Sequence, residues 1–109
     1  MRLPTPEDPA DAPVWENYVV AQTAQAALGN IPLHALALGV TVSGTSVVLR
    51  FQLSAITVAD EEDMSAIASE LQDLVGDHVR VDTVREIREE RLISPDDAVR
   101  YVFLARQAD

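Results

Sequence analysis

The sequence predicts an α+β fold, a two-layer sandwich in which two helices lie on one face of a mostly antiparallel sheet. Two neighbouring segments place an apolar residue at every second position, and a later segment places apolar residues at helical spacing. Glycines lie at the ends of these segments, where turns are expected. The predicted order of elements is α-β-β-α-β-β, and the strands are expected to form antiparallel pairs covered by the helices on one side.

The chain has 109 residues, 48% of them hydrophobic, which is the size and composition of one folded domain. Residues 1–12 are predicted to be a flexible tail, because four of the six prolines lie within the first 13 residues, together with three acids. Residues 13–109 are predicted to form a single α+β domain.

The first helix is expected to begin near Asp11 or Pro13, since proline is favoured in the first turn of a helix. Gly29, followed by an asparagine, is a typical end signal. The helix carries two large aromatic residues that are expected to lie in the core, Trp15 and Tyr18.

A β-hairpin is predicted by the alternating segments LHALALGVTV and SVVLRFQL. The apolar face consists of Leu36, Leu38, Val40 and Val42 in the first strand, and of Val47, Leu49, Phe51 and Leu53 in the second. The short connection Ser43-Gly44-Thr45-Ser46 contains glycine, so we expect it to join the two strands as an antiparallel hairpin.

The second helix has the clearest pattern. Its apolar residues recur at the spacing of one buried stripe: Met64, Ile67, Ala68, Leu71, Leu74 and Val75. Gly76 is expected to end it. Residues 78–87 predict a third strand whose alternation fails near Thr83, which indicates a bulge or an edge strand. Residues 98–106 predict the fourth strand.

Seven carboxylates and no basic residue lie between Asp60 and Asp77. The first four are consecutive and stand where the second helix begins, so the helix dipole stabilises each by ~0.3–1 kcal/mol. Asp60 is expected to cap the backbone N–H of residue 62 or 63. A plain helix start therefore accounts for these four acids.

The later acids are not explained in this way. On a helical wheel Glu70, Asp73 and Asp77 line the side opposite the apolar stripe, with Glu62 close to them. No arginine stands four residues away to pair with them, although such pairs are common on solvated helices. Unpaired charge of this kind speeds the approach of a cationic protein. We therefore predict a partner-binding surface formed by Glu62, Glu70, Asp73 and Asp77.

The composition argues against several classes of function. A formal net charge of −10 disfavours direct binding to nucleic acid and to anionic membranes. The absence of cysteine excludes disulfides and thiolate chemistry. The sequence contains neither the apolar stretch of a secretory signal nor that of a membrane span, so we expect a cytoplasmic protein.

No catalytic, cofactor or metal site is predicted, and the protein is not expected to be an enzyme. Consecutive acids on one helical turn splay apart instead of converging on a metal ion. The four glycines are scattered and form no phosphate-binding loop. His34 and His78 each stand at the beginning of a predicted strand, outside any recognisable catalytic motif, and are expected to be partly exposed polar residues.

Four segments together resemble small bacterial immunity proteins of contact-dependent growth inhibition and related polymorphic toxin systems. They are Ala27-Leu28-Gly29-Asn30-Ile31, the hairpin VTVSGTSVVLRFQL, the helix start Glu61-Glu62-Asp63, and the closing strand VRYVFLAR, residues 99–106. The resemblance covers roughly residues 17–107. Ala27 and Gln107 differ from the residues usual in that family, and the family has no shared catalytic motif from which residue roles could be transferred.

The resemblance implies a cytoplasmic protein that binds one cognate toxin, the C-terminal domain of a larger protein, and blocks its active site or its access to substrate. Such toxin domains are often nucleases, whose surfaces tend to be basic because they bind phosphate. The acidic helix would then complement the surface of the toxin.

Two other classes of function are left open by the sequence. A self-associating regulatory or structural α+β module would use a free strand edge to form a symmetric homodimer. A small hydrolase would use His34 or His78, and it requires a pocket that holds the histidine next to a serine or a carboxylate.

Overall fold

The computed structural model describes residues 12–94 and 98–106. Its elements are α1 (Ala12–Ala27), β1 (Ala35–Ser43), β2 (Ser46–Leu53), α2 (Val58–Val75), β3 (Arg80–Ile87) and β4 (Arg100–Leu104). The α+β class and the order of elements are as the sequence predicts. The predicted tail, residues 1–12, lies outside the described residues except for Ala12, at which α1 begins.

The four strands form one mixed sheet in the order β3-β2-β1-β4. β1 pairs antiparallel with both β2 and β4, whereas β3 pairs parallel with β2. The sheet is mostly antiparallel, as predicted, but the expectation that the third and fourth strands form a separate antiparallel pair is wrong, because β3 lies at the opposite edge from β4. The reason is the connection: α2 carries the chain back across the sheet from the end of β2, so β3 starts at the same end as β2.

The β1–β2 hairpin is confirmed, and its loop consists of Gly44 and Thr45. Gly44 has φ 58° and Thr45 does not have a positive φ, which is the pattern of a type II′ hairpin turn. The predicted alternation fails at Leu36, because the register with β2 shifts between Ala35 and Ala37. From Leu38 onward the predicted apolar face of β1 is paired with that of β2.

Both helices pack on this apolar face and form a single core with it. The largest fully buried residues include Phe51, Leu38, Leu49, Ile67 and Leu71. Trp15 is buried, as predicted, and its indole N–H donates a 2.8 Å hydrogen bond to the carbonyl oxygen of Gly44. The half-buried ring of Tyr18 stacks on it with a centroid separation of 5.8 Å. α1 is thereby tied to the hairpin loop.

The opposite face of the sheet is partly covered by residues that connect β3 to β4. The side-chain amide of Gln52 donates to the carbonyl oxygen of Leu92 and accepts from its N–H, both at 2.6 Å. At Gly39 a Cβ atom would collide with Cγ1 of Val99, so only glycine allows that side chain to lie against β1. No described helix is both long and apolar enough to cross a membrane.

Candidate functional site

The start of α2 is fixed by a reciprocal pair of hydrogen bonds. Thr57 is the N-cap residue, and its hydroxyl oxygen accepts the backbone N–H of Asp60 at 3.2 Å. The carboxylate of Asp60 accepts the backbone N–H of Thr57 at 2.8 Å, which completes a capping box. The helix therefore begins at Val58, before the acids. The expectation that Asp60 caps the N–H of residue 62 or 63 is wrong, because Asp60 is the third residue of the helix.

Asp60 is also almost completely buried, with 1% of its surface exposed. Besides the N–H of Thr57, its carboxylate accepts the Thr57 hydroxyl at 2.8 Å and the backbone N–H of His34 at 3.2 Å, and it lies 2.7 Å from Nδ1 of His34. Burial by itself raises the pKa of this carboxyl. The hydrogen bonds from Thr57, and then those from His34, outweigh burial and hold the pKa of Asp60 well below its ordinary value.

His34 is part of this buried junction, which the sequence did not reveal because 26 residues separate it from Asp60. Its side chain is half-buried and stands immediately before β1, so the contact ties the start of the sheet to the start of α2. A carboxylate that holds Nδ1 can orient an imidazole as a general base. Within residues 12–94 and 98–106, however, no serine or threonine hydroxyl bonds to the ring of His34. His78 is exposed.

The stripe that turns α2 toward the core is as predicted. Met64, Ile67, Leu71 and Val75 are buried, and the two remaining members of the predicted stripe, Ala68 and Leu74, are half-buried. The polar side of the helix must therefore point away from the sheet.

The acidic surface, which we define as Glu62, Glu70, Asp73 and Asp77, lies on this outward side. All four residues are exposed, and none forms an ion pair with any residue in the described part of the chain. Asp77 differs from the other three because α2 ends at Val75 and Gly76 follows with φ 96°. Asp77 thus extends the surface past the end of the helix, in the turn before β3.

The other acids of this segment are placed differently. Glu61 is exposed, but its carboxylate accepts a 2.6 Å hydrogen bond from Nη1 of Arg85 on β3. Both side chains are about half exposed, so this ion pair contributes only about 0–1 kcal/mol to stability. Arg85 nevertheless limits the acidic surface on this side. Its positive charge offsets that of Glu61 in the first turn, and it forms no ion pair with any of the four residues that define the surface.

A shallow groove of about 690 Å³ adjoins the acidic surface at Glu62. It runs beside the first two turns of α2 and is lined by Ile56, Thr57, Val58, Glu61, Glu62, Ser65 and Ala66. Val58 is 77% exposed, although it is apolar. Of the four residues of the acidic surface, Glu62 thus stands next to apolar surface.

The described residues hold no group of three or more histidine, aspartate or glutamate side chains that could bind a metal ion. The features that the described residues form here are a fixed helix start, a line of exposed carboxylates without ion-pair partners among the described residues, and an adjoining groove. No protein-family model matches the chain, and no curated protein matches it.

Proposed function

We propose that this protein is an immunity protein that binds and neutralises a cognate toxin domain, a basic domain of the nuclease type, through the acidic surface. The observation that carries the proposal is the state of Glu62, Glu70, Asp73 and Asp77, which are exposed and have no ion-pair partner among the described residues. The resemblance to immunity proteins of contact-dependent growth inhibition supports the same function.

The acidic surface is ready to bind without rearrangement. Because none of its carboxylates is engaged in an ion pair with the described residues, a cationic partner has no such pair to displace. Complementary charge raises the association rate and selects the right partner more than it increases affinity. The apolar side chains of the adjoining groove would supply the desolvated contact that slows dissociation.

Inhibition follows from where a nuclease carries its positive charge. A protein that binds a phosphate backbone needs a cationic surface along the path of its substrate. An acidic protein that binds this surface competes with the nucleic acid for the same side chains and keeps it away from the active site. The immunity protein itself then needs no catalytic group.

Growth rescue tests this function. A candidate toxin domain, chosen from the genes that neighbour the gene of this protein, is expressed in a sensitive bacterium, with and without this protein. We expect growth to be restored by the wild-type protein and by the variant Glu89→Arg/Glu90→Arg, whose changes lie on exposed residues outside the acidic surface. The variant Asp73→Arg/Asp77→Arg carries the same change in net charge and should protect much less. Failure of the wild-type protein to protect would refute the proposal.

A further inference from the structure

The strand β3 forms one edge of the sheet and is exposed along its length. It pairs with β2 in unbroken register over eight residues, from Arg80 beside Ser46 to Ile87 beside Leu53. Every residue of β3 is exposed except Val81, which is half-buried. On its other side no described residue pairs with it. An edge strand of this length without proline or bulge can accept another strand.

The main-chain groups that face outward can be identified from the bonds to β2. The N–H of Arg80 donates to the carbonyl oxygen of Thr45, and the N–H of Arg88 donates to that of Leu53. Because successive residues of a strand point their main-chain groups to opposite sides, even-numbered residues of β3 bond to β2. The outward groups belong to Val81, Thr83, Arg85 and Ile87.

The charges of β3 are balanced, in contrast to the protein as a whole. The formal net charge is −10, but within β3 Arg80 and Arg85 offset Asp82 and Glu86. Two copies of the chain can therefore meet at this edge without the local repulsion that the acidic surface would cause.

We propose that the protein forms a symmetric dimer in which the β3 strands of two copies pair antiparallel, with Thr83 opposite Thr83. In this register the outward N–H and C=O groups of Thr83 in one copy bond to those of Thr83 in the other copy. The outward groups of Val81 in one copy bond to the outward groups of Arg85 in the other. Arg80 then lies directly opposite Glu86, and symmetry creates this pair of opposite charges twice. The dimer is independent of the proposed toxin binding, because it uses a different surface.

Charge disfavours the two neighbouring registers that the outward groups allow. A shift of two residues in one direction places Asp82 opposite Glu86, and a shift in the other direction places Asp82 opposite Asp82. Like charges directly opposite each other destabilise a strand pair. Arg80 and Glu86 can exchange their present partners easily. Solvent reaches the Arg80–Asp82 and Arg88–Glu86 ion pairs, and each contributes about 0–1 kcal/mol.

Single cysteines test the register directly, since the natural chain contains none. In the proposed dimer the Cα atoms of two Thr83 residues are about 5.5 Å apart, within reach of a disulfide. Two Val84 residues would be about 8 Å apart, beyond that reach. We expect Thr83→Cys to form a cross-linked dimer under mild oxidation and Val84→Cys to remain monomeric on a non-reducing gel. Equal cross-linking of both variants, or of neither, would overturn the proposed register.

Charge reversal at the edge tests the dimer without any covalent bond. Sedimentation equilibrium of the wild-type protein should show dimers. The variants Arg80→Glu and Glu86→Arg each place like charges opposite each other twice, so we expect at least about fivefold weaker dimerisation. The double variant Arg80→Glu/Glu86→Arg restores opposite charges and should recover dimerisation. A wild-type protein that stays monomeric, or a double variant no better than the single ones, contradicts the proposal; growth rescue is measured separately and does not enter this test.

Discussion

The two ends of α2 carry the same type of residue in opposite circumstances. In the first turn, Asp60 is buried and accepts hydrogen bonds from Thr57 and His34. Toward the other end, Glu70 and Asp73 are exposed and form no ion pair with the described residues. Both groups are carboxylates that face no lysine or arginine within the helix. The difference shows that a carboxylate can be structural in one turn of a helix and that others can stay exposed and unpaired about three to four turns later.

Burial decides which of the two roles a carboxylate has. A buried carboxylate is retained only if hydrogen bonds replace its lost hydration, and Asp60 has four such contacts. An exposed carboxylate keeps its hydration and contributes little to stability. We therefore expect mutations at the two ends of α2 to have effects on different properties: on unfolding at the first turn, and on partner binding at the acidic surface.

The largest effect is expected for Asp60→Ala. Removal of the carboxylate leaves the partly buried backbone N–H groups of Thr57 and His34 without their acceptor and also removes the capping box. We expect the free energy of unfolding to fall by about 3 kcal/mol, measured by urea denaturation at neutral pH. The matched variant Asp73→Ala should change it by less than about 0.5 kcal/mol. Similar losses for the two variants would remove the distinction between the two ends of the helix.

A smaller and pH-dependent effect is expected for Asp60→Asn. The pKa of Asp60 is lowered by folding, so the ionised carboxylate stabilises the protein fully above its unfolded pKa of about 4. This stabilisation is lost progressively as the pH falls below that value. The advantage of the wild-type protein over Asp60→Asn should therefore shrink between pH 6 and pH 3 in urea denaturation.

Asp73→Asn provides the control for this pH dependence. Because Asp73 is exposed and unpaired within the described chain, its replacement should leave the acid dependence of stability nearly unchanged. If the difference in free energy of unfolding between the wild-type protein and Asp60→Asn were constant over the same pH range, the ionised carboxylate of Asp60 would not be what stabilises the protein.

The smallest effect is expected for the ion pair between Glu61, next to Asp60 in the first turn, and Arg85 on β3. The pair is half exposed and solvent screens it, so a double-mutant cycle with Glu61→Ala and Arg85→Ala should give a coupling energy below about 1 kcal/mol. A coupling of 2 kcal/mol or more would mean that the first turn is held by this ion pair as well as by Asp60.

Local patterns allowed most of the fold to be predicted. The period-two alternation from Leu38 to Leu53 fixed the hairpin, and the helical spacing from Met64 to Val75 fixed the buried side of α2. Because a buried stripe determines the opposite side of the same helix, the exposure of Glu62, Glu70 and Asp73 could also be predicted. The pairing of β3 with β2 could not, since periodicity within a strand carries no information on its neighbour or on parallel direction.

The contacts of Asp60 were missed for a related reason. A capping pattern, Thr57-x-x-Asp60, is present in the sequence and would have placed the helix start at Val58. The contact with His34 had no such local signal, because it forms only when the beginning of β1 is brought next to the beginning of α2. A histidine before a strand and an aspartate in a helix look like independent polar residues until the tertiary structure joins them.

The most direct test of the central claim is the rate at which the protein associates with the toxin domain proposed as its partner, measured by stopped-flow fluorescence over a range of salt concentrations. We expect Asp73→Arg/Asp77→Arg to slow association at low salt by about tenfold or more and to flatten the salt dependence, whereas Glu89→Arg/Glu90→Arg should have a much smaller effect. If both variants slowed association equally, or if neither did, the acidic surface would not be where the partner binds.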